Sequence, residues 1–343
     1  MNYSGKKILI IGGTGTIGQS LLKHVLRDNP SVIRILSRDE YKQFKLQQQY
    51  LDYTNIRYLI GDVRDYDRIK RAMEGIDYVF HVAAMKHVPA CEYNPFEAVQ
   101  TNIIGTQNVI QASLECGVEK VIFTSTDKAI SPANTYGASK LMAERMITAA
   151  QFQSGTKRTI FAAVRFGNIM GSRGSVIPLF QWQIREKKKV TITRRDMSRF
   201  MMTLDQATAL TVKAMECAKG GEVFVLKMPV IKLDDLADVI IEETARRMNI
   251  SHFSIGVNEV GLRPGEKMYE ELMTDEEAAR ALELPDMFII QNPFMKFRFY
   301  EGAVNAPARS YSSQTIPPIT KEEVRSLLQN AGLLEKQQVG EFV

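Results

Sequence analysis

Six apolar runs of strand length, KILIIG, VIRILS, IRYLIGD, YVFHVAA, KVIFTS and TIFAAVRFG, lie in the first half of this chain, separated by amphipathic stretches such as SLLKHVLRD and RIKRAMEG. Strands that are apolar along their whole length, and not only at every second residue, need cover on both faces, which is the situation of a parallel sheet with helices on either side. The expected fold class is α/β, a Rossmann-type doubly wound parallel sheet with a smaller C-terminal substrate-binding lobe. Beyond residue 166 the alternation weakens. Residues 1–166 are therefore expected to form a dinucleotide-binding domain, and residues 167–343 mainly the second lobe, with segments returning to the first. Helix Val99–Cys116 is expected to cover the sheet and to stop at Gly117. Thr320 and Glu323 form a capping box that opens a final helix.

Composition narrows the class further. With 45% hydrophobic and 24% charged residues in 343, the chain is of ordinary globular type. No run approaches the roughly 18 apolar residues of a membrane span, and ILII before Gly12 is too short for a signal peptide. Cys91, Cys116 and Cys217 are widely spaced and odd in number, so neither a disulfide framework nor a metal site is expected, and a reducing cytoplasm is the expected home. The net charge of +5 is small for this size, and the basic run Arg185–Lys189 has no interleaved aromatics. It reads as a solvated helix end, with no nucleic-acid partner.

KILIIG runs directly into Gly12-Gly13-Thr14-Gly15-Thr16-Ile17-Gly18 and then a helical segment. Such a turn brings backbone N–H groups to a pyrophosphate at a helix N-terminus, with contacts expected from Gly12, Thr14, Gly15, Thr16 and Ile17. The GxxGxxG spacing resembles the extended branch of the short-chain dehydrogenase/reductase superfamily. After the second strand, Ser37 and Arg38 offer a hydroxyl and a guanidinium to a 2′-phosphate, with Lys42 one turn further on, so NADP is expected over NAD. Asp39 is the counter-signal, a carboxylate suited to an unphosphorylated ribose. Asp62 and Val63 after the third strand fit an adenine-edge contact or, equally, a strand-end cap.

Ser125-Thr126-Asp127-Lys128 ends the strand KVIFTS, and Tyr136 and Lys140 follow in YGASK at the start of a helix. Four residues apart, they share a helix face, so the lysine ammonium is expected to lower the phenol's pKa and make it a usable base. That pair, downstream of a nucleotide loop, signifies hydride transfer between an alcohol and a ketone. In order along residues 5–315, VAAMKHVPACEYNPFEAVQTNIIGTQNVI, STDKAISPANTYGASK, RFGNIMGSRGSVIPLF, GLRPGEK and YSSQ resemble the soluble UDP-N-acetylglucosamine 4,6-dehydratases, which supply nonulosonates such as pseudaminic acid, and related sugars for flagellin glycans, capsules and O-antigens. The dTDP-glucose enzymes carry Thr-Asp-Glu where this chain has Thr-Asp-Lys, and the membrane-anchored relatives carry methionine in place of Tyr136.

The resemblance implies roles residue by residue. Tyr136 takes the 4-hydroxyl proton, Lys140 binds the nicotinamide ribose, Thr126 bonds the sugar hydroxyl, Asp127 is the acid at C6 and Lys128 the base at C5. Val82 and Ala84 face the cofactor, Lys86 lies near cofactor and sugar, and Asn102 steadies the helix beneath the site or simply packs it. Asn168, Val176, Thr193, Arg263, Ser312 and Ser313 are implied on the UDP-sugar side. Arg199 is either a phosphate contact or an ion-pair strut. The resemblance implies UDP-GlcNAc as substrate, a product inverted at C5 with retention as the alternative, and a dimer or hexamer. Three other readings stand beside this one: a 5,6-dehydratase returning hydride to C4, a UDP-hexose 4-epimerase, and a non-catalytic NADP-binding regulator.

Overall fold

The computed structural model describes residues 2–156, 158–172 and 174–334. The chain forms two compact units: one from residues up to 166, 207–227 and 273–310, the other from 167–206, 228–272 and the described residues from 311 on.

The first unit is built on a ten-stranded sheet. Its parallel part contains β1 (Lys7–Ile11), β2 (Val32–Ser37), β3 (Ile56–Ile60), β4 (Tyr78–His81), β5 (Lys120–Thr126) and β6 (Ile160–Phe166). These lie in the order β3-β2-β1-β4-β5-β6, the two-halved arrangement of a Rossmann sheet. Strand Val223–Leu226 pairs parallel with β6. Met287–Ile290, Ala281–Glu283 and Val304–Asn305 then continue the sheet antiparallel. Ile8 to Ile11 and Phe161 to Val164 have no exposed surface, the physical counterpart of their unbroken apolar sequences.

Two glycines fix how the first strand meets its helix, α1 (Thr16–Val25). Gly12 has φ +87°, and a Cβ there would sit 2.7 Å from the backbone N of Ala83. At Gly18 a Cβ would lie 2.6 Å from the Gly12 carbonyl oxygen. Any side chain at either position would push helix and strand apart, so the turn stays open for a diphosphate only with glycine.

The segment expected as one helix over 99–116 is two pieces, a wider π-turn Val99–Ile104 and an α-helix Gly105–Cys116 ended by Gly117 at φ +68°, with a short α-turn Pro95–Ala98 leading into them. Val63 presses on this helix so closely that a Cβ on Gly105 would meet its Cγ1 at 2.6 Å. The π-turn carries Asn102, and such turns are frequent at functional sites.

At the centre of the first unit, Arg165 of β6 is clamped between two carboxylates. Its Nη2 lies 2.5 Å from Glu144 Oε1 and 2.9 Å from Glu277 Oε1, and its Nη1 donates to Glu277 Oε2 at 2.9 Å. Burial works against the guanidinium's charge, yet the two carboxylates hold its proton more tightly than usual, and Arg165 in turn keeps the Glu277 carboxyl low against its own desolvation.

The second unit has a small sheet of Val230–Lys232, Ser198–Met202 and Asn168–Ile169, and a strand pair of Lys189–Ile192 with Gly256–Glu259. Helices Val176–Lys187, Leu233–Arg247 and Lys321–Asn330 enclose a core that includes Ile177, Phe180, Leu236, Ile240, Val324 and Leu328. The last helix carries the Thr320–Glu323 capping box.

Because removal of one member of a buried charge cluster strands the others, Arg165→Ala is expected to destabilise the protein by roughly 3–5 kcal/mol. Urea unfolding measures it, and a loss below about 1 kcal/mol would mean that the clamp is not a main support of the unit.

Candidate active site

β5 ends at Thr126, and the candidate residues Asp127 and Lys128 follow it directly. Thr126 caps a single 3-10 turn, Asp127–Ala129, accepting weakly from the Lys128 backbone N at 3.4 Å. Its hydroxyl donates to Asp127 Oδ1 at 2.8 Å, and Lys128 Nζ reaches the same oxygen at 3.1 Å. The Asp127 side chain is 1% exposed and that of Lys128 29%, so a buried carboxylate is held by a cation that keeps access to its surroundings.

Helix Thr135–Gln153 brings Tyr136 to this turn. Asn134 caps it by accepting from Gly137 N at 2.8 Å. Gly137 is the point of contact, since a Cβ there would lie 2.1 Å from the Lys128 carbonyl oxygen. Glycine is a poor helix former, and its place beside the tyrosine in YGASK is the sequence signal for this close approach.

The electrostatics differ from the sequence expectation. Burial pushes the Tyr136 phenol up to about 12, opposed first by the Lys128 charge and then by a hydrogen bond with Thr126. The cation that acts on the phenol is thus Lys128, whereas Lys140 turns its amine to the Thr124 carbonyl at 2.6 Å and lies 3.9 Å over the Phe123 ring. Desolvation brings Lys140 down to about 7, with Glu144 pulling the other way. The reason is packing: Lys140 lies beneath the end of β5, where a strand carbonyl is the available acceptor.

Asn102 ties the loop after β4 to the catalytic helix. Its Oδ1 accepts from Met85 N at 2.8 Å, and its Nδ2 donates to Met85 O and to Ser139 Oγ, both at 2.9 Å. Ser139 donates onward to the Tyr136 carbonyl at 2.8 Å. Behind Asn102, Thr106 donates to its carbonyl at 2.7 Å and lies 3.1 Å from His81 Nε2. Burial, with Lys140 second, pushes His81 down to about 3, so it is neutral. Gly137, Ser139, Thr106 and His81 are residues that sequence reasoning did not single out. Lys86, in the same loop, is exposed.

On the dinucleotide side, Thr14 Oγ1 and Ser37 Oγ are 2.7 Å apart. Gln43, buried and also unanticipated, donates to the carbonyls of Ser37 and Leu59. Asp39 caps the helix Glu40–Gln49 and pairs with Lys42 at 2.5 Å, which holds its carboxyl below the usual range. Arg38 is 61% exposed and 3.6 Å from Asp62. Asp62 accepts from the backbone and side chain of Arg64, while Val63 is buried with its carbonyl bound by Asn108. Val82 N donates to Ile11 O at 2.9 Å, and Ala84 follows two residues on. The Gly12 and Gly18 cradle at the start of α1 fits the diphosphate of a dinucleotide. Among the described residues no His, Cys, Asp and Glu group is arranged to hold a metal ion.

In the second unit, Asn168 donates to Glu270 at 2.9 Å, and Glu270 lies 3.5 Å from Arg199 Nε. Arg199 also donates to the carbonyls of Ser198, Met268 and Lys267, the pattern of a strut. Ser313 is buried, accepting from Glu270 N and sharing a hydrogen bond with Ser198 Oγ, and Ser312 accepts from Gln314 N. Val176 opens its helix, Thr193 accepts from Gly261 N, and Arg263 is exposed.

Residues 8–292 match the family described as polysaccharide biosynthesis protein. The chain belongs to this family, on a fold of the extended short-chain dehydrogenase/reductase type. Curated relatives include an uncharacterized membrane protein of Methanocaldococcus jannaschii, 45% identical over 97% of this chain and 98% of its own. A UDP-N-acetylglucosamine 4,6-dehydratase (inverting) of Campylobacter jejuni is 42% identical over 86% of this chain and 85% of its own. A UDP-glucose 4-epimerase of Rickettsia bellii is 39% identical over 98% of both. The X-ray structure of Pen from Bacillus thuringiensis superposes with a TM-score of 0.92 at 58% identity, covering 97% of this chain and 99% of that one. Among the described residues no helix is long and apolar enough to cross a membrane.

Gly137→Ala is expected to destabilise the protein by roughly 1–3 kcal/mol through overpacking. Gly256→Ala, where a Cβ meets nothing nearer than 3.9 Å, serves as the control in the same urea melts. Equal midpoints for the two variants would contradict the close contact.

Proposed function

We propose that this chain is an NADP-dependent 4,6-dehydratase that converts UDP-N-acetylglucosamine, with inversion at C5, to a 4-keto-6-deoxy sugar nucleotide for pseudaminic acid or another surface glycan. The observation that carries the reading is the Asp127–Lys128 pair beside Tyr136, with Lys128 Nζ 3.1 Å from Asp127 Oδ1. Epimerisation at C4 needs a base for the hydroxyl and nothing at C5 or C6. Elimination of water needs two more groups, and this turn carries both.

Gly12, Thr14, Gly15, Thr16 and Ile17 would hold the diphosphate of the dinucleotide, Ser37, Arg38 and Lys42 its 2′-phosphate, and Lys140 its nicotinamide ribose. When bound, the dinucleotide supplies the hydride acceptor of the first step and the donor of the last. Tyr136, as phenolate, takes the 4-hydroxyl proton while the C4 hydrogen departs as hydride. The resulting C4 ketone acidifies C5–H. Lys128, as the free amine, takes that proton and Asp127, protonated, gives its own to the C6 hydroxyl, which leaves as water. Hydride returns to C6 and a proton to C5.

The Lys128 ammonium opposes the burial that raises the Tyr136 pKa, and its hydrogen bond to Asp127 places the acid and the base of the elimination side by side. Asn168, Val176, Thr193 and Arg263 are proposed to hold the sugar nucleotide, with Ser312 and Ser313 acting through the hydrogen bonds around Glu270.

Proton NMR of UDP-GlcNAc incubated with the protein in deuterated water is expected to give a C6 methyl signal. An unchanged C6 with a new C4 configuration would instead favour the epimerase reading that the rickettsial relatives' names support. Lys128→Ala is expected to cut dehydration by about 10²–10⁴-fold, the usual contribution of a positioned acid or base. Because Lys128 lowers the Tyr136 pKa, its loss raises that pKa, so the alkaline-going limb of the C4-oxidation profile moves to higher pH; an unmoved limb would dissociate Lys128 from Tyr136. Arg38→Ala is expected to weaken NADP binding roughly ten- to a hundredfold, as for loss of a hydrogen bond to a charged group, and to leave NAD binding unchanged. Calorimetry with both dinucleotides measures this, and equal losses would remove the 2′-phosphate assignment.

A further inference from the structure

A cleft of about 400 Å³ opens in the first unit away from the dinucleotide cradle. One wall is a face of the helix Thr135–Gln153, presenting Leu141, Glu144, Arg145, Thr148 and Phe152, a spacing that lines up on one side of a helix. A second wall is Ala129–Ser131, the backbone that leaves Lys128, with Ser131 held at φ 43°. Ile290, Pro293 and Phe294 close a third side.

Three guanidinium and three carboxylate groups line this cleft, and their pairing is uneven. Glu144 and Glu277 are both bonded to Arg165. Arg145, Arg280 and the exposed Glu276 make up the rest. Arg145 lies near enough to Glu277 to help hold that carboxyl low, but the side chains of Arg145 and Arg280 have no hydrogen bond among the described residues, and Arg280 Nε is buried without an acceptor. Guanidinium groups only donate, in a fork that suits a planar or tetrahedral acid. A cleft of this size, apolar over much of its lining with a few convergent polar groups, has the make-up of a small-molecule site.

We propose that this cleft binds a small amphipathic anion, its acidic headgroup held by Arg145 and Arg280 and its apolar body packed against Leu141, Phe152, Ile290 and Phe294. The site is separate from the residues assigned to dinucleotide and sugar nucleotide, and the proposal does not depend on the reaction catalysed. A ligand there rests on the backbone that follows Asp127 and Lys128.

The test is calorimetric titration of the full-length protein with octanoate, in the presence of saturating NADP and UDP. Octanoate is expected to bind saturably at one site per chain, with octanol, which lacks the charge, and acetate, which lacks the body, at least tenfold weaker. The double variant Arg145→Gln/Arg280→Gln is expected to bind octanoate at least tenfold more weakly and octanol as before. Should that variant not fold, as judged by its melting temperature, Phe294→Ala, at a rim residue 84% exposed, is expected to weaken octanoate at least threefold. Equal affinity for octanoate and octanol, displacement of octanoate by NADP or UDP, or octanoate binding untouched by these variants would each overturn the proposal.

Discussion

The helix that carries Tyr136 approaches the end of β5 so closely that only a hydrogen atom fits between the Gly137 Cα and the Lys128 carbonyl. Everything reactive in the first unit is measured from that contact. It sets the phenol against Thr126, brings the Lys128 charge to bear on it, and leaves Lys140 one turn deeper, where its amine meets the Thr124 carbonyl. The approach is in turn held by Asn102, which fastens the loop at Met85 and the helix at Ser139 from a single side chain. A π-turn at that point gives Asn102 its reach, so a local departure from regular helix geometry serves the alignment of two other elements.

Two lysines with different surroundings divide the labour. Lys140 is buried over an aromatic ring and drawn down to about 7, so its charge state is sensitive to whatever binds beside it. Lys128 keeps partial exposure and an acid partner. The neutral His81 beneath them contributes a hydrogen bond to Thr106 and no charge.

The sheet was legible in the sequence because burial on both faces leaves an unbroken apolar run, as in Phe161 to Val164. The glycine turn was legible because positive φ and backbone contact at Gly12 admit nothing else. The Tyr136 and Lys140 spacing was legible as a shared helix face, but the acceptor of Lys140 was not, since it is a backbone carbonyl, Thr124 O, which no side-chain pattern marks. The burial of Ser313 against Ser198 and the clamp of Arg165 by Glu277 join residues more than a hundred apart and leave no local pattern. The break of the expected 99–116 helix into α and π pieces was hidden too, since its apolar spacing runs through both pieces without a proline to mark the change.

The sheet's composition from three separate stretches of chain has a consequence for synthesis. When the ribosome has delivered β6, the sheet ends on a strand apolar but for Arg165, with no neighbour on its outer side, and the partner Val223–Leu226 emerges only some sixty residues later. Met287–Ile290 comes later still. Residues 1–166 by themselves therefore end on an open, sticky strand edge. The nascent protein passes through an interval in which its sheet is incomplete, and its yield in a cell depends on how fast translation closes that gap relative to encounters with other unfinished chains.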